Sequence, residues 1–181
     1  MTNMKALITG ANGFTGSHLV RALTQRGDTV VGLVRKSSDL SRLADSNIQL
    51  VYGDISDRIV LRTAMAGVDV VFHTAAYVEL GIVDAVKMEG VNVEGTHAVL
   101  EIAQELGVGK VIYCSTVGIY GDTQGKVIDE TFSRTQTDFS SAYDITKYKA
   151  QKLADRFAAQ GLPVVSVMPT GIFGSDDPHF G

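Results

Sequence analysis

The 181-residue chain carries 16 basic and 20 acidic residues, a formal net charge of −4, and 45% hydrophobic residues. That composition supplies one sizeable core in a single domain, and so mild a negative charge offers no positive field for a phosphate backbone, which excludes nucleic acid as an expected partner. A lone Cys114 cannot form an intramolecular disulfide and points to a reducing, cytoplasmic setting, and no apolar run is long enough to be read as a signal peptide or a membrane span.

The first predicted strand, Met4 to Thr9, runs into Gly10-Ala11-Asn12-Gly13-Phe14-Thr15-Gly16 and a predicted helix over Gly13 to Gln25, followed by Gly27. A glycine-rich turn between strand and helix lets backbone N–H groups and the positive helix end approach a pyrophosphate that a Cβ would block. The spacing Gly-x-x-Gly-x-x-Gly is one residue longer at its first gap than the dinucleotide fingerprint, and three glycines also permit tight strand-to-helix packing; the flanking elements favour phosphate binding.

The second predicted strand, Thr29 to Val34, ends in Arg35-Lys36-Ser37, where an NAD site would place a carboxylate on the ribose 2′-hydroxyl. Two cations and a hydroxyl suit a 2′-phosphate instead, so NADP(H) is expected in preference to NAD(H); the alternative is a solvated turn. Asp54 follows the third predicted strand, Ile48 to Tyr52, where a carboxylate can accept from an adenine amino group or form an Asx turn or cap before a helix over Asp57 to Ala66. The fourth strand, Val68 to His73, leads to a long helix over Asp84 to Leu106, and the fifth, Lys110 to Ser115, delivers Ser115 and Thr116 to the sheet edge. An irregular stretch from Gly121 to Ser141 precedes a helix over Ala142 to Gln160, and a sixth strand spans Pro163 to Met168. Alternating strands and helices of this kind imply βαβ units around a parallel sheet, an α/β doubly wound architecture with helices on both faces and active groups at the carboxyl ends of the strands.

Tyr143 and Lys147 lie four apart on the predicted helix, so an ammonium can stand beside a phenol and lower its pKa. With the hydroxyls of Ser115 and Thr116 they suit hydride chemistry at a carbinol or ketone without a metal, although strand-end capping by the hydroxyls and a half-buried helix position for Tyr143 are the plain structural alternatives.

Six segments in order give the chain a resemblance to the extended short-chain dehydrogenase/reductases of the NAD-dependent epimerase/dehydratase group, with a dihydroflavonol-reductase-like flavour around Arg35 and Ala75. They are Thr9 to Gly16, Gly53-Asp54, Phe72-His73-Thr74-Ala75-Ala76, Asn92-Val93-Glu94-Gly95-Thr96, Ser115 to Gly121 and Tyr143-Asp144-Ile145-Thr146-Lys147. The resemblance implies a Rossmann-type domain in which Tyr143 is the acid/base, Lys147 lowers its pKa and bonds the nicotinamide ribose, and Thr116 holds the substrate oxygen. It further implies cofactor contacts from Gly10, Asn12, Gly13, Phe14, Thr15, Gly16, Arg35, Lys36, Asp54, Ile55, Thr74, Ala75 and Ala76. Pro169, Thr170, Gly171 and Ile172 would close over the nicotinamide. His73 is expected to be structural rather than a base, and Asn92 to position its helix.

Relatives of this kind continue into a smaller C-terminal lobe that forms most of the substrate pocket, which the sequence ending His179-Phe180-Gly181 is expected to lack. The helices Asp84 to Leu106 and Ala142 to Gln160 would form a homodimer interface. The leading functional expectation is an NADP(H)-preferring oxidoreductase acting on a ketone or secondary alcohol of a small organic substrate. Two other readings keep the same motifs: a nucleotide-sugar epimerase or dehydratase that retains its cofactor, and a non-catalytic dinucleotide-binding regulator.

Overall fold

A computed structural model describes residues 3–79 and 83–177. The C-terminal His179-Phe180-Gly181 lies outside the described residues.

Six parallel strands form one sheet in the order β3-β2-β1-β4-β5-β6: β1 Lys5–Thr9, β2 Thr29–Val34, β3 Gln49–Tyr52, β4 Val70–His73, β5 Lys110–Cys114 and β6 Val164–Val167. Chain direction across the sheet reverses between β1 and β4, so the ends of these two strands flank the point where α/β sheets open a binding crevice. The helices are α1 Phe14–Arg26, α2 Arg58–Met65, α3 Ala85–Glu89, α4 Thr96–Glu105 and α5 Ala142–Ala159.

Alternation along each strand decides which helix it meets. Ala6 and Ile8 of β1, with Val30 and Val34 of β2, face Val20 and Leu23 of α1. Leu7 and Leu33 turn the other way, onto Leu61 and Met65 of α2, Leu100 and Ile102 of α4 and Phe157 of α5. Both faces of the sheet are thus apolar and covered, as a parallel sheet requires. Local signals set the helix ends. Asp57 caps α2 by accepting from the amides of Ile59 and Val60 at 2.9 and 3.2 Å, and Gly27 closes α1 with φ +90, its amide and that of Asp28 returning to Thr24 and Leu23 carbonyls. Arg58–Glu101 and Arg62–Glu105 ion pairs at 2.7 and 2.6 Å join α2 to α4 along matched turns.

One long helix was expected over Asp84 to Leu106. The chain there is α3 and α4 joined by a π turn over Gly90–Gly95, which contains Asn92. Gly95 inside it lies against Ile55, whose Cδ1 would be 2.5 Å from an added Cβ. Widening the helix by one residue at this spot lets it pass the loop after β3 and turns Asn92 inward, where it is 2% exposed.

Candidate active site

The glycine turn after β1 is a close approach between backbones. Gly10 adopts φ +69, and a Cβ there would lie 2.9 Å from Ala75 Cα; one on Gly16 would lie 2.1 Å from the Gly10 carbonyl oxygen. No side chain caps α1, whose Ncap is Gly13. The first amides of that helix are therefore uncapped, and Gly10, Gly13 and Gly16 place no Cβ in the turn, the arrangement suited to a pyrophosphate.

A cleft of about 220 Å³ opens at this turn, walled by Gly10, Asn12, Gly13, Arg35, Asp54 and Ile55 and, on the β4 side, by Thr74, Ala75 and Ala76. Those nine predicted residues are brought together. Phe14, Thr15 and Gly16 lie just beyond the wall in the first turn of α1, and Lys36 is exposed outside it, Ser38 taking the place beside Arg35. Asp54 spends one carboxylate oxygen on an Asx turn, accepting from Ser56 N and Oγ at 2.9 and 2.8 Å. Its turn role and its place in the cleft wall therefore coexist, while capping falls to Asp57. Leu33, Val34 and Gly53 complete the wall together with Ser38, Tyr77 and Val91, the last three not anticipated from the sequence.

Beyond β5 the chain presents Ser115, Thr116 and a 3-10 turn, Val117–Tyr120. Thr116 caps that turn, its Oγ1 accepting from Gly118 N at 3.2 Å. Ser115 is buried, and its hydroxyl has no hydrogen-bond partner among the described residues. A second hollow, about 400 Å³, is lined by Tyr120, Thr123, Asp129, Glu130, Met168 and Thr170. Thr170 thus borders this hollow and not the nucleotide cleft. Pro169 accepts Val117 N at 3.1 Å, and Gly171 and Ile172 are exposed.

Tyr143 and Lys147 occupy the first two turns of α5, capped by Ser141. Lys147 is 3% exposed; its Nζ donates to the Cys114 carbonyl at 2.7 Å and stands 4.5 Å from the centre of the Tyr113 ring. Burial pushes its pKa down to about 8, with Cys114 acting the other way. The Tyr143 phenol is pushed up to about 12, first by burial and then by Cys114 and Asp144. This is opposite to the expected lowering by Lys147: burial dominates at Tyr143, and the Lys147 ammonium bonds the Cys114 carbonyl. Cys114 itself is raised by burial, as an inert core thiol would be.

His73 ends β4 fully buried, held neutral down to about pH 3 by burial and by the Lys147 charge. It bonds Thr9 and Thr96 and stacks on Tyr113 at 5.6 Å, a structural histidine as expected. Asn92 positions more than its own helix: Oδ1 accepts from Tyr77 N at 2.7 Å, and Nδ2 donates to the Tyr77 carbonyl and to Thr146 Oγ1, both at 3.0 Å. Among the described residues no group of three His, Cys, Asp or Glu side chains is placed to hold a metal, and no helix is long and apolar enough to cross a membrane.

Sheet order, covered faces and a glycine turn at the reversal point define a Rossmann-type nucleotide-binding fold. Residues 6–180 match the NAD dependent epimerase/dehydratase family, and the chain belongs to that family, within the extended short-chain dehydrogenase/reductases. It is 34% identical over 174 residues to sterol demethylase protein B of Methylococcus capsulatus, covering 96% of this chain and 53% of that protein. It is 35% identical to a 3-beta-hydroxysteroid dehydrogenase of Mycolicibacterium neoaurum, covering 96% and 49%. Among solved structures, a UDP-glucuronic acid 4-epimerase from Bacillus cereus in complex with NAD superposes with a TM-score of 0.80 at 27% identity, covering 94% of this chain and 58% of that one. The chain spans about half the length of the curated relatives it matches.

Proposed function

We propose that this chain carries the cofactor-binding and proton-transfer parts of an NADP(H)-preferring oxidoreductase that reduces a ketone, or oxidises a secondary alcohol, of a small organic substrate. The observation that carries the reading is the placement of Tyr143 and buried Lys147 on α5 against the end of β5, one strand from the β4 end that walls the nucleotide cleft. The cleft fits a dinucleotide, since its floor is a turn a Cβ would fill. A bound nicotinamide supplies or accepts the hydride. Tyr143 passes its phenolic proton to the substrate oxygen on reduction and takes it back on oxidation, and Thr116 orients that oxygen. Lys147, largely protonated at pH 7, would steady the phenolate by turning its ammonium from the Cys114 carbonyl. Arg35 and Ser38 stand at the cleft rim where an NAD site would place a carboxylate, which supports a 2′-phosphate ligand.

The test is Tyr143→Phe, assayed on a panel of ketones and secondary alcohols with NADPH. Turnover should fall at least about a hundredfold, while NADPH affinity by calorimetry stays within a factor of about two, the hydroxyl being all that is removed. Unchanged turnover refutes the role.

A second reading, epimerase or dehydratase chemistry on a nucleotide sugar, is favoured by the likeness to the UDP-glucuronic acid 4-epimerase. It returns the hydride to the substrate, so product forms with no net change in reduced-nicotinamide absorbance. The lone Cys114 supports a cytoplasmic location. Exposed Val86 and Ile145 support a homodimer through the Asp84 to Leu106 and Ala142 to Gln160 segments, which sedimentation would test.

A further inference from the structure

Beneath the site runs a row of buried side chains whose hydrogens can be assigned one by one. Thr9 and His73 are register partners on β1 and β4, as are His73 and Tyr113 on β4 and β5. The Thr96 hydroxyl gives its proton to the Asn92 carbonyl at 2.7 Å, so its oxygen can only accept from His73 Nε2, at 2.9 Å. Nε2 therefore holds the ring proton, and Nδ1 accepts from Thr9 Oγ1 at 2.7 Å. The Thr9 oxygen accepts in turn from Ala75 N at 3.3 Å, and the Thr9 carbonyl from Thr74 Oγ1 at 2.8 Å. A second ring proton would face the Thr9 hydroxyl and leave that hydroxyl without its acceptor. Of the groups facing the ring, Tyr113 stacked on it shuts out water, and the Lys147 ammonium above Tyr113 opposes a second proton.

The row does not end at the histidine. Asn92 passes it to α5 by donating to Thr146 Oγ1 at 3.0 Å, and Thr146 donates to the Tyr143 carbonyl at 2.9 Å. At the opposite end stands Ala75, the residue against which Gly10 is packed.

We propose that His73 is a positioning residue: as the Nε2–H tautomer it ties the end of β1, which carries the glycine turn, to the π turn, and through Asn92 and Thr146 it fixes the first turn of α5, so that the dinucleotide cleft and Tyr143 keep one register. It touches neither substrate nor cofactor and moves no proton. The assignment rests on the roles proposed above for the glycine turn and Tyr143.

Two variants test it. His73→Phe keeps a ring on Tyr113 and removes both hydrogen bonds; Thr96→Val removes only the acceptor of Nε2–H and decides the matter where the first fails to fold. Amide hydrogen exchange is followed at Gly13, Ser17 and Ile145, whose amides bond the carbonyls of Gly10, Gly13 and Ser141, and at Leu61 in α2 as a remote reference. Exchange at the first three should quicken at least about tenfold, a loss of local stability of roughly 1.4 kcal/mol, with Leu61 unchanged. An increase confined to the neighbours of residue 73, or spread evenly over the chain, overturns the proposal. So does nitrogen-15 NMR of the wild-type ring showing an Nδ1–H tautomer, or a doubly protonated ring at pH 5. Calorimetric titration with NADPH and NADH keeps the two readings apart. Wild-type protein that binds neither nucleotide sinks the proposed function, while the exchange experiment still decides the role of His73. Where nucleotide binds, both variants should weaken it at least fivefold.

Discussion

Replacing Gly10 by alanine tests the floor of the nucleotide cleft directly. The left-handed backbone at φ +69 costs a residue with a Cβ about 1 kcal/mol. The added Cβ would stand 2.9, 3.0 and 3.3 Å from Ala75 Cα, N and Cβ, where ordinary carbon contacts are about 3.5–4.0 Å. The Ala75 backbone must then retreat by roughly half an ångström, an overpacking cost of about 1–3 kcal/mol. Stiffening of the unfolded chain by alanine returns about 0.4–1 kcal/mol. The net loss is about 1–3.5 kcal/mol, which lowers Tm by roughly 2–14 °C in a chain of this size. The first bond to break is Ala75 N to Thr9 Oγ1, already 3.3 Å long. Thermal unfolding by circular dichroism reads the stability loss, and calorimetry should find NADPH affinity reduced at least about tenfold because the turn's amides move with the backbone. Gly90→Ala is the control, since nothing lies within 4 Å of its Cβ position and its backbone is helical; it should be neutral or stabilising by up to about 1 kcal/mol. Gly10→Ala protein with wild-type Tm and affinity would refute the close-approach argument.

Lys147→Met should abolish turnover yet stabilise the fold by about 1–3 kcal/mol at pH 7, because it removes a buried charge. The unfolded chain binds more protons than the folded one between pH 8 and 10.5, so the wild type gains stability as pH rises through that window and the variant's advantage should shrink there; an advantage that grows refutes the assignment. For His73 the folded pKa, about 3, lies below the unfolded 6.5, so stability is lost as pH falls from 6.5. The wild type should lose about 2 kcal/mol more than His73→Phe between pH 6.5 and 5, read from denaturant midpoints, and parallel losses would contradict a neutral buried ring. Arg35→Asp should weaken NADPH binding much more than NADH binding, and equal effects would remove Arg35 from the 2′-phosphate site.

The strands were legible because each is a short apolar run closed by a turn, and all six lie within two residues of their expected ends. The fourth begins late, at Val70, because Asp69 is used to tie the N-terminus of β1, accepting from Lys5 N at 2.7 Å. The π turn was not legible, since α3 is only five residues long and offers too few positions before the turn to reveal a shift in the helical pattern; Gly90 and Gly95 at its ends are the nearest thing to a signal. Within the site, the glycine turn and the Ala75-Ala76 segment carried motifs and were found. Ser38, Tyr77 and Val91 were missed because their place in the wall depends on how the chain returns to the cleft, which spacing does not encode. The seat of Lys147 was missed for a related reason: its partner at Cys114 is a carbonyl, and every residue has one.

The π turn also ties the chemistry to chain length. A π turn advances each residue by less than the roughly 100° of an α-helix, so its one extra residue leaves α3 and α4 in phase; removing a single residue from Gly90–Gly95 would regularise the helix with its ends in place and abolish the bulge that carries Asn92 inward. Asn92 would then lose its bonds to Tyr77 and Thr146. The segment can neither shorten nor take a larger residue at Gly95, where Ile55 leaves no room for a Cβ, and an indel here is expected to be far more damaging than the same change in the loop between Gly121 and Ser141.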